Sequence, residues 1–202
     1  MLPEPIQNAA AAFDQLPGVG PRAALRYAYW LVTQPKDIIL RFSKSLASLT
    51  ENVMTCKTCF QWADASPCRI CRDERRDATA LCVVATSQDV RMVEETGVFK
   101  GKYHVLGGTL DPIEGRTPYT LTITQLLERL KQSPVQEVIL ALDANLQGDT
   151  TALYLRKHLS TFPVRIMRLA RGLPTGAALE YADAHTLADA IMNRKETKEN
   201  GV

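Results

Sequence analysis

Four of the five cysteines fall within sixteen residues, as Cys56-x-x-Cys59 and Cys68-x-x-Cys71, and this spacing constrains the chain more than any other feature. A CxxC turn aims two sulfurs at one point, so two such turns can close a tetrahedron around a single cation. The donor set favours zinc, Zn2+, one ion per chain. Four protein thiolates leave no open position for a substrate, so the expected role is structural. A segment too short to bury its own core would be stapled by metal. The eight residues between the pairs, with turn-forming Ser66-Pro67, demand a compact lobe. Four unrelated thiols or a redox CxxC are the alternatives. The regular pairing and the lack of a thioredoxin-like context speak against both. The fifth cysteine, Cys82, lies in an apolar run that reads as a buried strand and is not expected to be a ligand.

The formal net charge is only +2 over 202 residues, so any affinity for nucleic acid must come from a local basic surface. No apolar run reaches membrane-spanning length. The opening residues, MLPEPIQNAAAAFDQL, lack a cationic start and carry Pro3, Glu4 and Pro5 where a signal peptide is apolar. Clustered thiols of this kind belong to reducing compartments. Together these features predict a cytosolic protein.

Ile6, Ala9, Phe13 and Leu16 are three or four residues apart, as are Ile39, Phe42, Leu46, Leu49 and Val53, which predicts two helices. Between them, Pro17-Gly18-Val19-Gly20-Pro21 reads as a tight turn feeding a third helix through about Val32, since proline fits a helix's first turn. Such a turn points backbone N–H groups outward where the helix dipole adds positive character, so a phosphate can dock there. Arg22 and Arg26, four apart, share a face beside it. Gly18, Gly20, Arg22 and Arg26 are therefore the candidate DNA contacts. Binding should be independent of sequence, because nothing in the turn reaches base edges. An ordinary helical corner with two solvated arginines is the alternative.

Farther on, apolar runs at 81–85, 103–106, 138–142 and 164–169 alternate with helical patterns near 88–95, 120–132 and 149–160. This alternation predicts a mostly parallel sheet covered by helices. A short helix near 185–194 and a disordered polar tail, 195–202, complete the chain. His104 is expected to pack inside a strand, and Gly107-Gly108 to make a turn, because no Lys-Ser/Thr follows. Arg165, Arg168 and Arg171 could face DNA, but paired or solvated arginines are the expected reading. Around the cysteines, Lys57, Arg69, Arg72, Arg75 and Arg76 outnumber Asp64, Asp73 and Glu74 by two.

The order of glycine hairpin, four-cysteine lobe and α/β domain resembles the RecR family of bacterial recombination mediators. So do the runs Tyr103-His-Val-Leu-Gly-Gly108, Gly148-Asp-Thr-Thr-Ala-Leu-Tyr154, Arg171-Gly-Leu-Pro174 and Leu179-Glu-Tyr-Ala-Asp183. The likeness covers nearly the whole chain. It implies an α/β multi-module fold: a helix-hairpin-helix region at 1–53, a C4 zinc finger at 54–76, a Toprim domain at 79–174, and a C-terminal helix with a polar tail at 175–202. It also implies a ring-shaped homo-oligomer, expected to be a tetramer wide enough to encircle duplex DNA, and association with the bacterial nucleoid. The implied partners are RecO and RecF, with RecA loaded at single-strand gaps.

Catalytic Toprim domains carry a glutamate after the first strand and an Asp-x-Asp pair after a later one, because Mg2+ needs clustered hard oxygens. Here Ala85 stands at the first place and Asp143-Ala-Asn145 at the second, and Gln147 stands where RecR proteins usually carry an acid. Asp143, Asp149, Asp89 and Glu94 remain. The expectation is a scaffold with no catalytic residue. The alternative is a magnesium-dependent nuclease or topoisomerase-like enzyme.

Overall fold

The computed structural model describes residues 2–194 and residue 196; most of the polar tail expected at 195–202 lies outside the described residues. The chain forms two compact units, one ending at Val53 and the other beginning at Met54.

The first unit is helical: α1 (Glu4–Asp14), α2 (Pro21–Val32) and α3 (Lys36–Asn52). Prolines set all three starts. Pro5 lies in the first turn of α1, Pro21 opens α2, and Pro35 precedes α3. α1 and α2 approach closely because α2 turns Ala24 and Ala28, both buried, toward its neighbour, and Phe13 meets Tyr27 edge-on at 5.8 Å. α3 buries none of its residues; Leu40, Phe42, Leu46 and Leu49 stay exposed along it.

The second unit begins with a small lobe: a hairpin of β1 (Met54–Thr55) and β2 (Trp62–Ala63), followed by α4 (Arg69–Arg72). The α/β part follows as β3 (Asp77–Val84), α5 (Ser87–Glu95), β4 (Gly101–Val105), α6 (Ile123–Lys131), β5 (Glu137–Ala141), α7 (Leu146–Leu159) and β6 (Arg165–Arg168). A 3-10 turn at Leu179–Tyr181 and α8 (Ala184–Met192) end it. The four long strands are all parallel, in the order β4-β3-β5-β6.

The central strand β3 is buried on both faces, which is why its sequence runs apolar without alternation. Leu81 and Val83 enter one core with Leu126 of α6, Leu140 of β5 and Leu155 and Leu159 of α7. Cys82 and Val84 enter the opposite core with Val90 of α5, Tyr103 and Val105. The expected strands and helices are present, with shifts at their ends. β3 starts at Asp77, before the apolar run. α7 starts at Leu146, because Asn145 caps it, and α6 starts only at Ile123, after a turn at Thr117–Thr120.

An exposed strand edge invites pairing with another chain. The lobe covers that of β4. Val105 donates its N–H to the Cys59 carbonyl at 2.8 Å. Lys102 extends its Nζ to the carbonyls of Ile70, Cys71 and Asp73 at 3.0, 3.2 and 2.7 Å, satisfying the open end of α4. Phe60 and Ile70 of the lobe pack on the α5-side core.

Candidate metal centre and nucleic-acid interface

The four lobe cysteines converge, with all sulfurs within 4.8 Å of one another. A tetrahedral zinc with Zn–S bonds of about 2.3 Å separates its sulfurs by roughly 3.8 Å. The Cys59–Cys68 and Cys56–Cys71 separations of 3.6 and 4.0 Å straddle that value, and none of the cysteines is disulfide-bonded. The surroundings suit thiolates. Cys68 N–H donates to the Cys56 sulfur at 3.3 Å, and Cys71 N–H and Gln61 Nε2 donate to the Cys68 sulfur at 3.4 and 2.9 Å. Burial opposes ionisation of Cys56, yet backbone N–H groups of Cys59, Cys68 and Thr58 outweigh it and bring that thiol down to about 6. Cys59 moves upward, because the adjacent Cys71 thiol and burial both disfavour a second thiolate beside the first. A divalent cation would relieve that repulsion, so the donor set fits a metal. Cys82 stands apart in β3, its thiol pushed up to about 12 by burial.

The sheet order reverses at β3: the chain leaves it for β4 and then returns to its other side for β5. In open α/β sheets, ligand crevices lie at the carboxyl ends of strands at such a reversal. Ala85 and Asp143 follow those two strand ends, where β3 and β5 run in register from Ala80↔Glu137 to Val84↔Ala141. Only Asp143, exposed and without an ion pair among the described residues, is a free acid there. Asn145 is the N-cap of α7 and accepts the Gly148 N–H at 2.8 Å. Asp149 is clamped by Arg168 and Arg171, whose hydrogen bonds hold its carboxyl down at about 2. Asp89 closes a capping box with Thr86 at the start of α5. Glu94 pairs with Arg76 and accepts the Tyr103 hydroxyl at 2.6 Å. Among the described residues, the cysteine cluster is the only group of three or more potential ligands brought together.

In the first unit, Gly18 adopts φ +78, a conformation that side chains resist, so the turn requires glycine there. Gly20 is extended and caps α2 without a side chain. Pro21 has no N–H, and no side chain caps the first turn, so the Arg22 and Ala23 N–H groups are left without a capping partner among the described residues. Arg22 and Arg26 are exposed and form no ion pair among the described residues; Arg26 lies 5.6 Å from the Tyr27 ring.

Other sequence candidates are accounted for by packing and pairing. His104 is fully buried, its Nε2 3.0 Å from the Thr122 carbonyl and hydroxyl, and burial lowers its pKa to about 4. Gly107 and Gly108 turn the chain at φ +89 and +145. Arg165 pairs with Glu137 at 3.4 Å, as Arg168 and Arg171 do with Asp149. Sequence reasoning missed the Lys102 anchor and the placement of Trp62. A lone lysine inside a strand and a tryptophan in a polar lobe were the signals available for them.

A helical hairpin with an open glycine turn, a four-thiol lobe and a parallel sheet with its reversal at β3 define a multi-module Toprim protein. Known proteins agree with that class. The family model "Toprim domain" matches residues 79–170, "RecR, helix-hairpin-helix" matches 6–50, and "RecR, C-terminal" matches 172–195. The chain is 43% identical over 196 residues to the recombination protein RecR of Myxococcus xanthus (strain DK1622), covering 97% of this chain and all of that protein. It is 41% identical to the recombination protein RecR of Herpetosiphon aurantiacus, covering 97% and 96%. The chain belongs to the RecR family.

Proposed function

We propose that this protein is a non-catalytic, zinc-containing scaffold of recombinational DNA repair that binds DNA without sequence preference. It works with RecO and RecF to promote RecA loading at single-strand gaps. Its relatives are named recombination proteins over essentially their full length, which supports the repair role. The observation that carries the scaffold reading is the state of the acids: of the four that could serve a magnesium site, Asp89, Glu94 and Asp149 are committed to caps and ion pairs. A lone Asp143 does not supply the clustered oxygens that phosphoryl chemistry with Mg2+ requires.

Zinc, held by Cys56, Cys59, Cys68 and Cys71, would supply rigidity to the lobe and no reactive position. DNA would meet the Gly18–Gly20 turn, the uncapped start of α2, and Arg22 and Arg26, all directed at phosphates. The exposed apolar stripe of α3 supports self-association, since large exposed apolar surfaces mark interaction sites. A ring of subunits would also turn a modest basic face into high avidity. No helix among the described residues is long and apolar enough to cross a membrane.

The test is binding to gapped and duplex DNA, with and without a RecO-type partner, together with incubation of supercoiled plasmid with Mg2+ or Mn2+. Binding without cleavage is expected. Turnover that disappears in Asp143→Ala would establish the nuclease alternative instead.

A further inference from the structure

A hollow of about 210 Å³ opens where the cysteine lobe meets the carboxyl ends of β3 and β4. Phe60 and Trp62 wall it from the lobe, Ser87 and Gln88 from the first turn of α5, and Val105 and Gly107 from the exit of β4. Trp62 is 65% exposed, although tryptophan is usually buried over most of its surface. Its backbone is nevertheless fixed. The Trp62 main-chain N–H donates to Ser87 Oγ at 2.9 Å, and Thr55 pairs with it across the hairpin. Phe60 is held at φ +65, its N–H on the Cys56 carbonyl at 2.8 Å and its ring 5.2 Å from that of His104. The lobe on one side and the sheet on the other thus hold an aromatic wall facing solvent.

The lining tells what would fit. No carboxylate or cation is part of it, so the occupant's buried portion is neutral. The volume lies below the roughly 300–1,000 Å³ of drug-sized sites, which limits the occupant to a small group, and the Phe60 and Trp62 rings in the lining favour a planar one. The Gln88 amide, exposed and without a hydrogen-bond partner among the described residues, can both donate and accept. Around the lobe, Lys57, Arg69 and Arg72 are exposed and free of ion pairs among the described residues, exceeding Asp64 and Glu74 by one charge. A neutral planar group attached to a polyanion matches this combination.

We propose that the hollow seats one unpaired base of single-stranded DNA, stacked on the Trp62 indole with its edge toward the Gln88 amide. Stacking suits a protein without sequence preference, because every base offers a π face. Paired bases in a duplex are stacked on one another and cannot enter. The proposal rests on the DNA-binding reading above and adds a division of labour: the α2 hairpin takes phosphates from any DNA, while Trp62 selects for unpaired strand.

The chain has two tryptophans, so Trp30→Phe leaves Trp62 as the sole reporter in full-length, zinc-loaded protein. Three probes of equal length separate the contributions: oligo(dT), an abasic oligomer and a blunt duplex. Oligo(dT) should quench the Trp62 emission and the other two should not. Trp62→Ala should weaken oligo(dT) binding about tenfold or more and leave the abasic and duplex affinities unchanged. Should that variant lose zinc, Gln88→Ala, which lies outside the lobe, should weaken oligo(dT) alone by about fivefold. Unchanged oligo(dT) binding in zinc-loaded Trp62→Ala, or an equal loss on all three probes, overturns the base seat while the DNA-binding reading stands. Wild-type protein that binds none of the three overturns that reading and the base seat with it.

Discussion

Asn145 Oδ1 accepts the Gly148 N–H at 2.8 Å, closing the first turn of α7 two residues beyond Asp143. Replacing Asn145 with alanine should therefore cost stability, about 1 kcal/mol. Asn145→Asp should remain as stable as wild type, since aspartate caps equally well, and should still leave supercoiled plasmid intact with Mg2+. Urea unfolding and plasmid relaxation read these two outcomes separately.

Gly148 itself is fixed by close approach. A Cβ there would stand 2.1 Å from the Asp143 carbonyl oxygen. Alanine is ordinarily worth up to about 1 kcal/mol over glycine inside a helix. Here the clash should win, and Gly148→Ala is expected to destabilise by about 1–3 kcal/mol, as overpacking does. Its urea midpoint decides the sign.

Metal analysis should find one zinc per chain. Changing any one of Cys56, Cys59, Cys68 or Cys71 to serine should remove it and loosen the lobe, because three ligands do not close the tetrahedron. Cys82→Ala should keep full zinc content, since Cys82 lies outside the cluster. Zinc loss in Cys82→Ala would count against this ligand set.

Arg22 and Arg26 should bind phosphates. The double change to alanine should weaken DNA binding about equally for all sequences and lower the salt slope by about one unit for each arginine–phosphate pair removed. Both residues are exposed, so the melting behaviour should stay within about 0.5 kcal/mol of wild type. DNA affinity measured across a salt series, alongside a thermal melt, tests both statements.

The Arg171 and Arg168 hydrogen bonds hold Asp149 at about 2, below its ordinary 3.8. A depressed carboxylate stabilises the fold above its unfolded pKa and loses that contribution as pH falls toward the folded value. Asp149→Asn should therefore unfold at lower urea than wild type, by an amount constant from pH 8 to 5. The difference should shrink only below about pH 4, toward 2. A difference that fades between pH 8 and 5 would assign the effect to another group.

Much of this architecture is written locally. The paired CxxC spacing specifies a four-thiol site, Gly18 and the flanking prolines specify a helical hairpin, and alternating apolar runs specify strands and covering helices. Each signal acts over a few residues, where backbone geometry and periodicity decide the outcome, so the chain order carries it directly. The strand order β4-β3-β5-β6 is different in kind, because nothing in the run 81–85 states which neighbour it will meet. That order alone sets Ala85 beside the strand leading to Asp143. The fates of the acids were equally hidden: Asp149 meets Arg168 and Arg171 from 19 and 22 residues away, and Lys102 reaches the Asp73 carbonyl across 29. Trp62 faces a hollow only because the lobe docks on the edge of β4. The sequence by itself determined which local units form; the tertiary structure decided which charges are spent on one another and which surfaces stay open, because those pairings depend on long-range packing that no local pattern encodes.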